Sequence, residues 1–543
     1  MDRSAHRLGD LYVAALGWSL RHHAATVAIA VATLVGALLL VPRLGTEFVP
    51  KADFSETSVT FNTPVGSSLA TTEARAQQVD AILREMPEVR YTVATINTGQ
   101  AQGRNQVSVF VRLVDRQQRQ RSADQMSVPL RDRLNQVAGI TVTHVGLLDA
   151  VGGNKPISLS IQGPDLVELQ RLTHRMMGQL AQVPGLVDLD TSMKPPKPTV
   201  AIDVKRDAAS DLGLSVGSVT NTLRALVAGQ TVGDWRAAND QTYDVKVRLA
   251  PEARDKPADL ARLGLVLGAN ADGSMRTVRL SQVADVRSST GPTQINRRDL
   301  NRESEISGNT AGRALGEVST DIRKILDATP LPPGYSYRFG GSTKDMQESF
   351  GYAVSALALG VVFIYMILAS QFRSYLQPLA LMSSLPLTLI GVVGALLLWR
   401  STLNMFSIIG VIMLMGLVTK NAILLIDFAI RARQPSVDAE GHPVPGLSRN
   451  DALLRAAKVR LRPILMTTLA MIFGMLPLAL AISEGSEQRA PMGQAVIGGV
   501  ITSSVLTLVV VPVIYCWLDD LGNWARRQLF GRDRRQPDAM GPK

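Results

Sequence analysis

Apolar residues fall in six long runs, 24–41, 351–370, 379–399, 405–430, 463–483 and 493–517. Five of the six hold no charged residue, and the fourth holds only Lys420 and Asp427. A helix of about 20 apolar residues crosses a hydrocarbon core, so the pattern predicts six membrane-spanning helices. Ahead of the first run, Leu8, Leu11, Tyr12, Ala15 and Trp18 recur at helical spacing. Residues 1–23 are therefore either a short amphipathic helix on the membrane surface or an ordinary helical lead-in.

Between the first two runs the pattern changes. Glu56–Asn62, Arg90–Ile96, Gln106–Leu113 and Ile140–Val145 read as strands, and Leu69–Arg84 and Ala123–Gln136 as helices. The order βαββαβ is a split-βαβ unit. A second unit starts at Ile157–Ile161, with a helix at Leu166–Gln182 and strands near Val187–Asp190 and Thr199–Val204. A helix at Val216–Val227 follows, and the rhythm then breaks. It resumes with Glu303–Gly308, Leu315–Leu326 and Ser336–Phe339. The strand-rich stretch 229–295, with a turn signal at Asn270–Gly273, reads as a smaller inserted subdomain.

The expected fold class is a membrane α-helical bundle of six spans plus an α+β domain of split-βαβ, ferredoxin-like subdomains. Its expected divisions are a lead-in over 1–23, a first span over 24–43, and one unit over 44–150. The second unit takes 151–228 and 296–345, with 229–295 inserted. Five spans follow over 346–518, with a loop at 431–462, and then a basic tail over 519–543.

Net charge is +11 and mean hydropathy +0.12. The basic excess flanks apolar runs, which points to membrane orientation rather than to nucleic acid. The 431–462 loop carries Arg431, Arg433, Arg449, Arg455, Lys458, Arg460 and Arg462, and the tail carries Arg526, Arg527, Arg532, Arg534, Arg535 and Lys543. The 484–492 loop carries Glu484, Glu487 and only Arg489. Short loops rich in Lys and Arg stay cytoplasmic. Both termini are expected in the cytoplasm and 44–350 outside it. Arg3, Arg7 and Arg21 precede a first run that lacks a small-residue cleavage pattern, so that run reads as a retained helix. Cys516 is the single cysteine and permits no intrachain disulfide.

The chemistry concentrates on Lys420, well inside the fourth span in Gly-Leu-Val-Thr-Lys-Asn-Ala-Ile-Leu-Leu-Ile-Asp-Phe, 416–428. A charge at span centre costs about 2.5–3.5 kcal/mol on insertion scales and normally faces a partner inside the bundle. Lys420 stands about 15 Å of helical rise from the cytoplasmic end, far for snorkelling. Asp427 lies two turns away and reads as a boundary residue. The other spans contain no Asp or Glu, so the partner carboxylate is expected from another polypeptide segment. The next span opens Arg-Leu-Arg-Pro-Ile-Leu-Met-Thr-Thr, 460–468. Pro463 suits a first helical turn. Arg460 suits either a functional or an interfacial role. Thr467 and Thr468 either line a polar path or bond their own helix.

One span, a domain of about 300 residues, then five spans is an order that resembles the RND superfamily of acriflavine-resistance type. Gly-Leu-Val-Thr-Lys-Asn-Ala-Ile-Leu, Arg-Leu-Arg-Pro-Ile-Leu-Met-Thr and Leu-Pro-Pro-Gly-Tyr (331–335) carry the resemblance, which covers nearly the whole chain and matches the C-terminal half of such pumps. It implies an inner-membrane drug/proton antiporter rather than an enzyme, driven by proton motive force without a cofactor. It implies a homotrimer, a periplasmic membrane-fusion adaptor, an outer-membrane channel and an N-terminal half whose adjacent aspartates complete the relay. Lys420, Arg460 and Thr467 match the family's proton-relay residues. The two βα units resemble porter subdomains, and 229–295 resembles half of a funnel or docking domain.

Two features depart from the multidrug pattern. Where several phenylalanines are common, this chain has Thr98, Gly99, Gln100, Gln102 and Gly103, with only Phe110 beyond them. That run is either a switch-like substrate loop or a plain surface loop. Soft thioethers select copper(I), but Met176, Met177 and the other methionines read as packing, so drugs or amphiphiles rank above metal. A half-size subunit and a non-transporting receptor or export factor on the same scaffold remain as alternatives.

Overall fold

The computed structural model describes residues 2–98, 103–147, 155–269, 272–437 and 443–530, with side chains from residue 9 except 436, 437, 443, 444, 523 and 525–530. The chain opens with α1 (Asp2–Arg21) and α2 (His23–Leu40). The first α+β unit is β1 (Glu56–Asn62), α3 (Leu69–Arg84), β2 (Val89–Ile96), β3 (Gln106–Leu113), α4 (Ala123–Leu134) and β4 (Thr141–Gly146). Its sheet runs β2-β3-β1-β4, antiparallel throughout. Alternation along β1 turns Thr57, Val59 and Phe61 inward, against Val79 and Leu83 of α3 and Met126 and Leu130 of α4. Ser68 caps α3, and a Ser122–Gln125 capping box starts α4.

The second unit begins with β5 (Ile157–Gly163), α5 (Leu166–Leu180) and β6 (Leu186–Thr191). A separate body then intervenes. It comprises β7 (Lys197–Val204), α6 (Arg206–Asp211), α7 (Val216–Leu223), β8 (Gln230–Arg236), β9 (Thr242–Val247), α8 (Pro257–Ala261), β10 (Gly264–Ala269), β11 (Met275–Arg279), α9 (Leu280–Val283) and β12 (Ala284–Gly291). The second unit resumes with β13 (Asn296–Arg298), β14 (Asn301–Thr310), α10 (Leu315–Ala328) and β15 (Ser336–Gly340). Its sheet runs β13-β14-β5-β15, with β6 also on β14. The expectation of a second-unit strand over 199–204 needs correction. β7 pairs along its whole length with β12, and Ile202, Val204 and Val219 pack with Leu265, Leu280 and Val283 in a core of their own. The inserted body therefore starts at β7, before residue 229, and includes the helix expected in the second unit.

The membrane part is α11 (Gly341–Phe372), α12 (Gln377–Met382), α13 (Ser384–Leu398), α14 (Met405–Ala432), α15 (Arg449–Ala479) and α16 (Ala490–Phe530). With α12 and α13 taken as one span, six helices among the described residues are long and apolar enough to cross a membrane. α16 is the axis, packed by α13, α14 and α15. Glycines permit this closeness. A Cβ on Gly391 would stand 2.3 Å from the Gly498 carbonyl, and one on Gly498 would stand 2.3 Å from the Gly391 carbonyl.

Two helices depart from expectation. α15 starts at Ser448, whose side chain accepts from Asp451 N, so Pro463 lies inside a helix rather than in its first turn. Buried Ala456, Ala457, Leu461 and Ile464 hold the helix through that missing hydrogen bond. In α1 the expected stripe splits. Leu11, Ala15 and Trp18 are exposed, whereas Tyr12, Leu16 and Leu20 are buried in the bundle core. Tyr12 donates to the Leu508 carbonyl at 2.9 Å. α1 is thus docked on α15 and α16 along one face.

One end of the bundle carries the α+β units. Leu403 N donates to Gly45 O at 2.8 Å, and Gly485 N to Asp53 O at 3.2 Å, so the loops after α13 and α15 both join the 44–55 linker. At the opposite end Arg433 donates to the Tyr515 hydroxyl at 2.8 Å, and Arg449 pairs with Asp520.

Candidate functional site

Lys420 lies 15 residues into α14 and 12 from its end, about 22 and 18 Å of helical rise. Its side chain is exposed, beside exposed Met413 and Gly416 on one helix face, and it makes no ion pair or hydrogen bond among the described residues. Asp427 is not its partner, because it pairs with Arg431 one turn on, at 3.1 Å. An ammonium at mid-span, with the next charge on that face two turns away and already paired, is the feature that bare lipid tolerates least.

The other two expected relay residues sit on α15 and are not hydrogen-bonded to Lys420. Arg460 stacks its guanidinium on the Phe428 ring of α14, 5.3 Å from the centroid, and its Nε is buried without a partner among the described residues. The Thr467 hydroxyl donates to the Ile464 carbonyl of its own helix at 3.0 Å.

Thr468 lies in a polar seam in the interior, one of its two expected roles, but the seam's Asn421, Ser504 and Thr507 were not singled out from the sequence. Thr468 and Ser504 hydroxyls meet at 3.1 Å, and the Asn421 amide reaches Ser504 at 3.5 Å. Asn421 Oδ1 and Thr507 Oγ1 are buried without partners among the described residues. The available signal was the cluster Ser503, Ser504 and Thr507 inside an apolar run. Asn421 follows Lys420 by about 100° of helix turn, so α14 shows charge on its open face and amide to its neighbours.

A cavity of about 300 Å³ lies between the two α+β units, just beyond the bundle. Phe48, Phe54 and Phe110 supply aromatic surface, and Glu47, Lys51 and Arg131 supply charge. Burial pushes the Glu47 carboxyl above the usual carboxylate range, against a hydrogen bond from Thr402 at 3.2 Å. Of the expected substrate-loop residues, Phe110 lines this cavity and leans on Tyr91, with ring centroids 6.4 Å apart. Thr98 and Gly103 lie at the β2–β3 connection and not on the cavity wall; Gly103 N donates to Asn97 Oδ1 at 3.1 Å. Gly99, Gln100 and Gln102 lie outside the described residues.

The units are joined beside the cavity. Arg131 of α4 grips Asp188 of β6, with Nε and Nη2 at 2.6 and 2.9 Å from its two oxygens. Burial acts to raise the Asp188 carboxyl, but the Arg131 guanidinium, Asn309 and Val145 N hold it below the usual range. Burial brings His144 down to about 4, so its ring is neutral. Among the described residues there is no group of three or more His, Cys, Asp or Glu placed to hold a metal ion. Met126 and Met176 are fully buried in the two unit cores, and no methionine lines the cavity.

Residues 1–519 match the AcrB/AcrD/AcrF family. Two solved structures of similar fold are X-ray crystal structures of a heavy metal efflux pump, crystal forms II and I. Each is 27% identical to the chain over 95% of its length, with TM-scores of 0.82 and 0.81. The match covers 53% and 52% of those chains, so this chain spans about half the length of the solved structures it matches.

Proposed function

Because the chain belongs to the AcrB/AcrD/AcrF family of RND transporters, we propose that it is the C-terminal half of an inner-membrane pump exchanging protons for amphiphilic organic molecules. The observation that carries this reading is Lys420, a mid-span ammonium on an open helix face. Its partner is a carboxylate of a second half, and protonating that carboxylate removes the attraction in a low-dielectric bundle. The bundle then has two arrangements biased by one proton. Arg460 and Thr467 stand on the neighbouring helix along the same relay. The strand orders of the two α+β units support reading them as split-βαβ porter subdomains, and the loops after α13 and α15, tied to the 44–55 linker, carry the shift to them. The arrangement further calls for a homotrimer, a periplasmic adaptor and an outer-membrane channel, with both termini in the cytoplasm.

Amphiphiles are favoured as cargo by the cavity wall, which mixes three phenylalanines with lysine, arginine and glutamate. The similarity to heavy metal pumps supports a second reading, metal-ion export. Against it stands a cavity wall without Met, Cys or His.

Expression in a host stripped of its own pumps separates these readings. The chain with a matching N-terminal half is expected to restore dye export, and the chain alone is not. Metal tolerance without dye export would replace the amphiphile reading, and dye export by the chain alone would sink the two-half reading.

A further inference from the structure

Two bridges of unequal strength border the cavity between the α+β units. At one border the Lys51 ammonium donates to Asp124 Oδ1 of the first unit at 2.7 Å and to Thr310 O of the second at 2.8 Å. Both charged side chains are well exposed, 39% and 45%. An exposed pair of this kind shifts an equilibrium by about fivefold at most, and salt screens it.

The other border is built around Asp188. The pairing of β6 with β14 changes register between Ser307 and Asn309, and Asp188 takes a left-handed φ of 54° there. Aspartate tolerates that conformation better than most residues. Such an irregularity re-aims a side chain, and the Asp188 carboxylate leaves its own sheet for the first unit. It accepts from both Arg131 nitrogens, from Val145 N at 3.1 Å and from Asn309 Nδ2 at 2.8 Å. Lys155 donates to the Asp188 carbonyl at 2.7 Å. The neutral His144 ring accepts from Asn309 at Nδ1, 2.6 Å, and donates from Nε2 to Gly146 O, 3.1 Å. Arg131 and Asp188 side chains are 14% and 2% exposed. Removing one partner from a buried, fully bonded pair shifts an equilibrium by about a hundredfold or more.

We propose that the two units hinge about the Arg131–Asp188 contact, which stays closed throughout transport, and that the cleft opens at the Lys51 border. This deepens the export reading and rests on it for its transport consequence. The inequality of the bridges decides the direction: thermal motion breaks the exposed one readily and the buried one rarely. A cleft opened at Lys51 uncovers half-buried Phe48 next to the already exposed Phe54 while leaving Asp188 bonded. Asp188 acts as a positioning residue, fixing the axis of opening.

The test uses the assembled pump in a Cys516→Ser background, which leaves the chain free of cysteine. Asp124→Cys with Thr310→Cys, tied by a short bis-methanethiosulfonate that forms each disulfide by displacing methanesulfinate, is expected to lower dye export at least about tenfold, with recovery when a reducing thiol cleaves the link. Unchanged export after complete cross-linking would overturn the proposal. Spin labels at exposed Gln117 and Lys324 report the opening itself, whether or not the pump exports. Lys51→Gln is expected to shift that pair toward longer distances, and an unchanged distribution counts against the proposal. Labels at exposed Asp132 and half-exposed Val187, each one residue from the Arg131–Asp188 pair, should keep one narrow distance with and without dye. A second distance there would show that the Asp188 contact opens, which the proposal forbids.

Discussion

Arg131 and Asp188 meet as a two-pronged ion pair across the boundary between the α+β units, 2.6 and 2.9 Å at its two contacts. Asp188→Ala would leave the buried Arg131 guanidinium unpaired. The expected loss is about 3 kcal/mol of unfolding free energy, read from denaturant unfolding of the purified chain in detergent. A loss under about 1 kcal/mol would mean that Arg131 finds water or another acceptor.

His144 supplies a pH dependence. Its folded value of about 4 lies below the ordinary 6.5. Between those values the unfolded chain binds the proton that the folded chain refuses. Stability therefore falls as the solution is acidified through that window, by about 2 kcal/mol from pH 7 to pH 5. Comparing the wild type with His144→Gln at both pH values isolates the effect. Parallel losses in the two proteins would assign it elsewhere.

For Lys420, the expected outcome in the assembled pump is loss of nearly all dye export in Lys420→Ala at matched membrane levels. Lys420→Arg should fail as well, because a planar fork does not replace a compact ammonium. Near-normal export by Lys420→Ala would leave the lysine a purely structural role. Asp427→Asn should matter least, since Asp427 is engaged with Arg431.

The paired threonines separate by partner. Thr468→Val strips Ser504 of its buried hydroxyl partner and is expected to cost about 1–2 kcal/mol of stability. Thr467→Ala removes only a bond within its own helix, so it should leave the melting temperature nearly unchanged while weakening transport. A large fall in melting temperature for Thr467→Ala would contradict that division.

At the α13–α16 crossing, Gly498→Val places side-chain atoms against the Gly391 carbonyl and Ala395. A destabilisation of about 1–3 kcal/mol is expected, read as a lower melting temperature in detergent. Gly394→Ala is the control, because a Cβ there meets nothing within 4 Å.

The six spans were legible in the sequence because lipid imposes a local rule. A crossing segment must satisfy its backbone internally, so length and absence of charge suffice to find it. The same rule made Lys420 conspicuous, since the one carboxylate in the spans, Asp427, stands two helical turns away. The two α+β rhythms were readable from period alone.

Non-local pairing decided the rest. β7 reads like another strand of the second unit, and only its match to β12 draws it into the inserted body. The stripe of α1 gave no direction, and its buried face was settled by the shape of α15 and α16. Asp188 looked like any aspartate in a strand, and its importance comes from a register shift and a partner 57 residues away. Period, charge and length are properties of neighbours along the chain, and the sequence by itself determined them. Which faces meet, and which charge is buried against which, depends on segments that are distant in sequence, so only the tertiary structure could decide it.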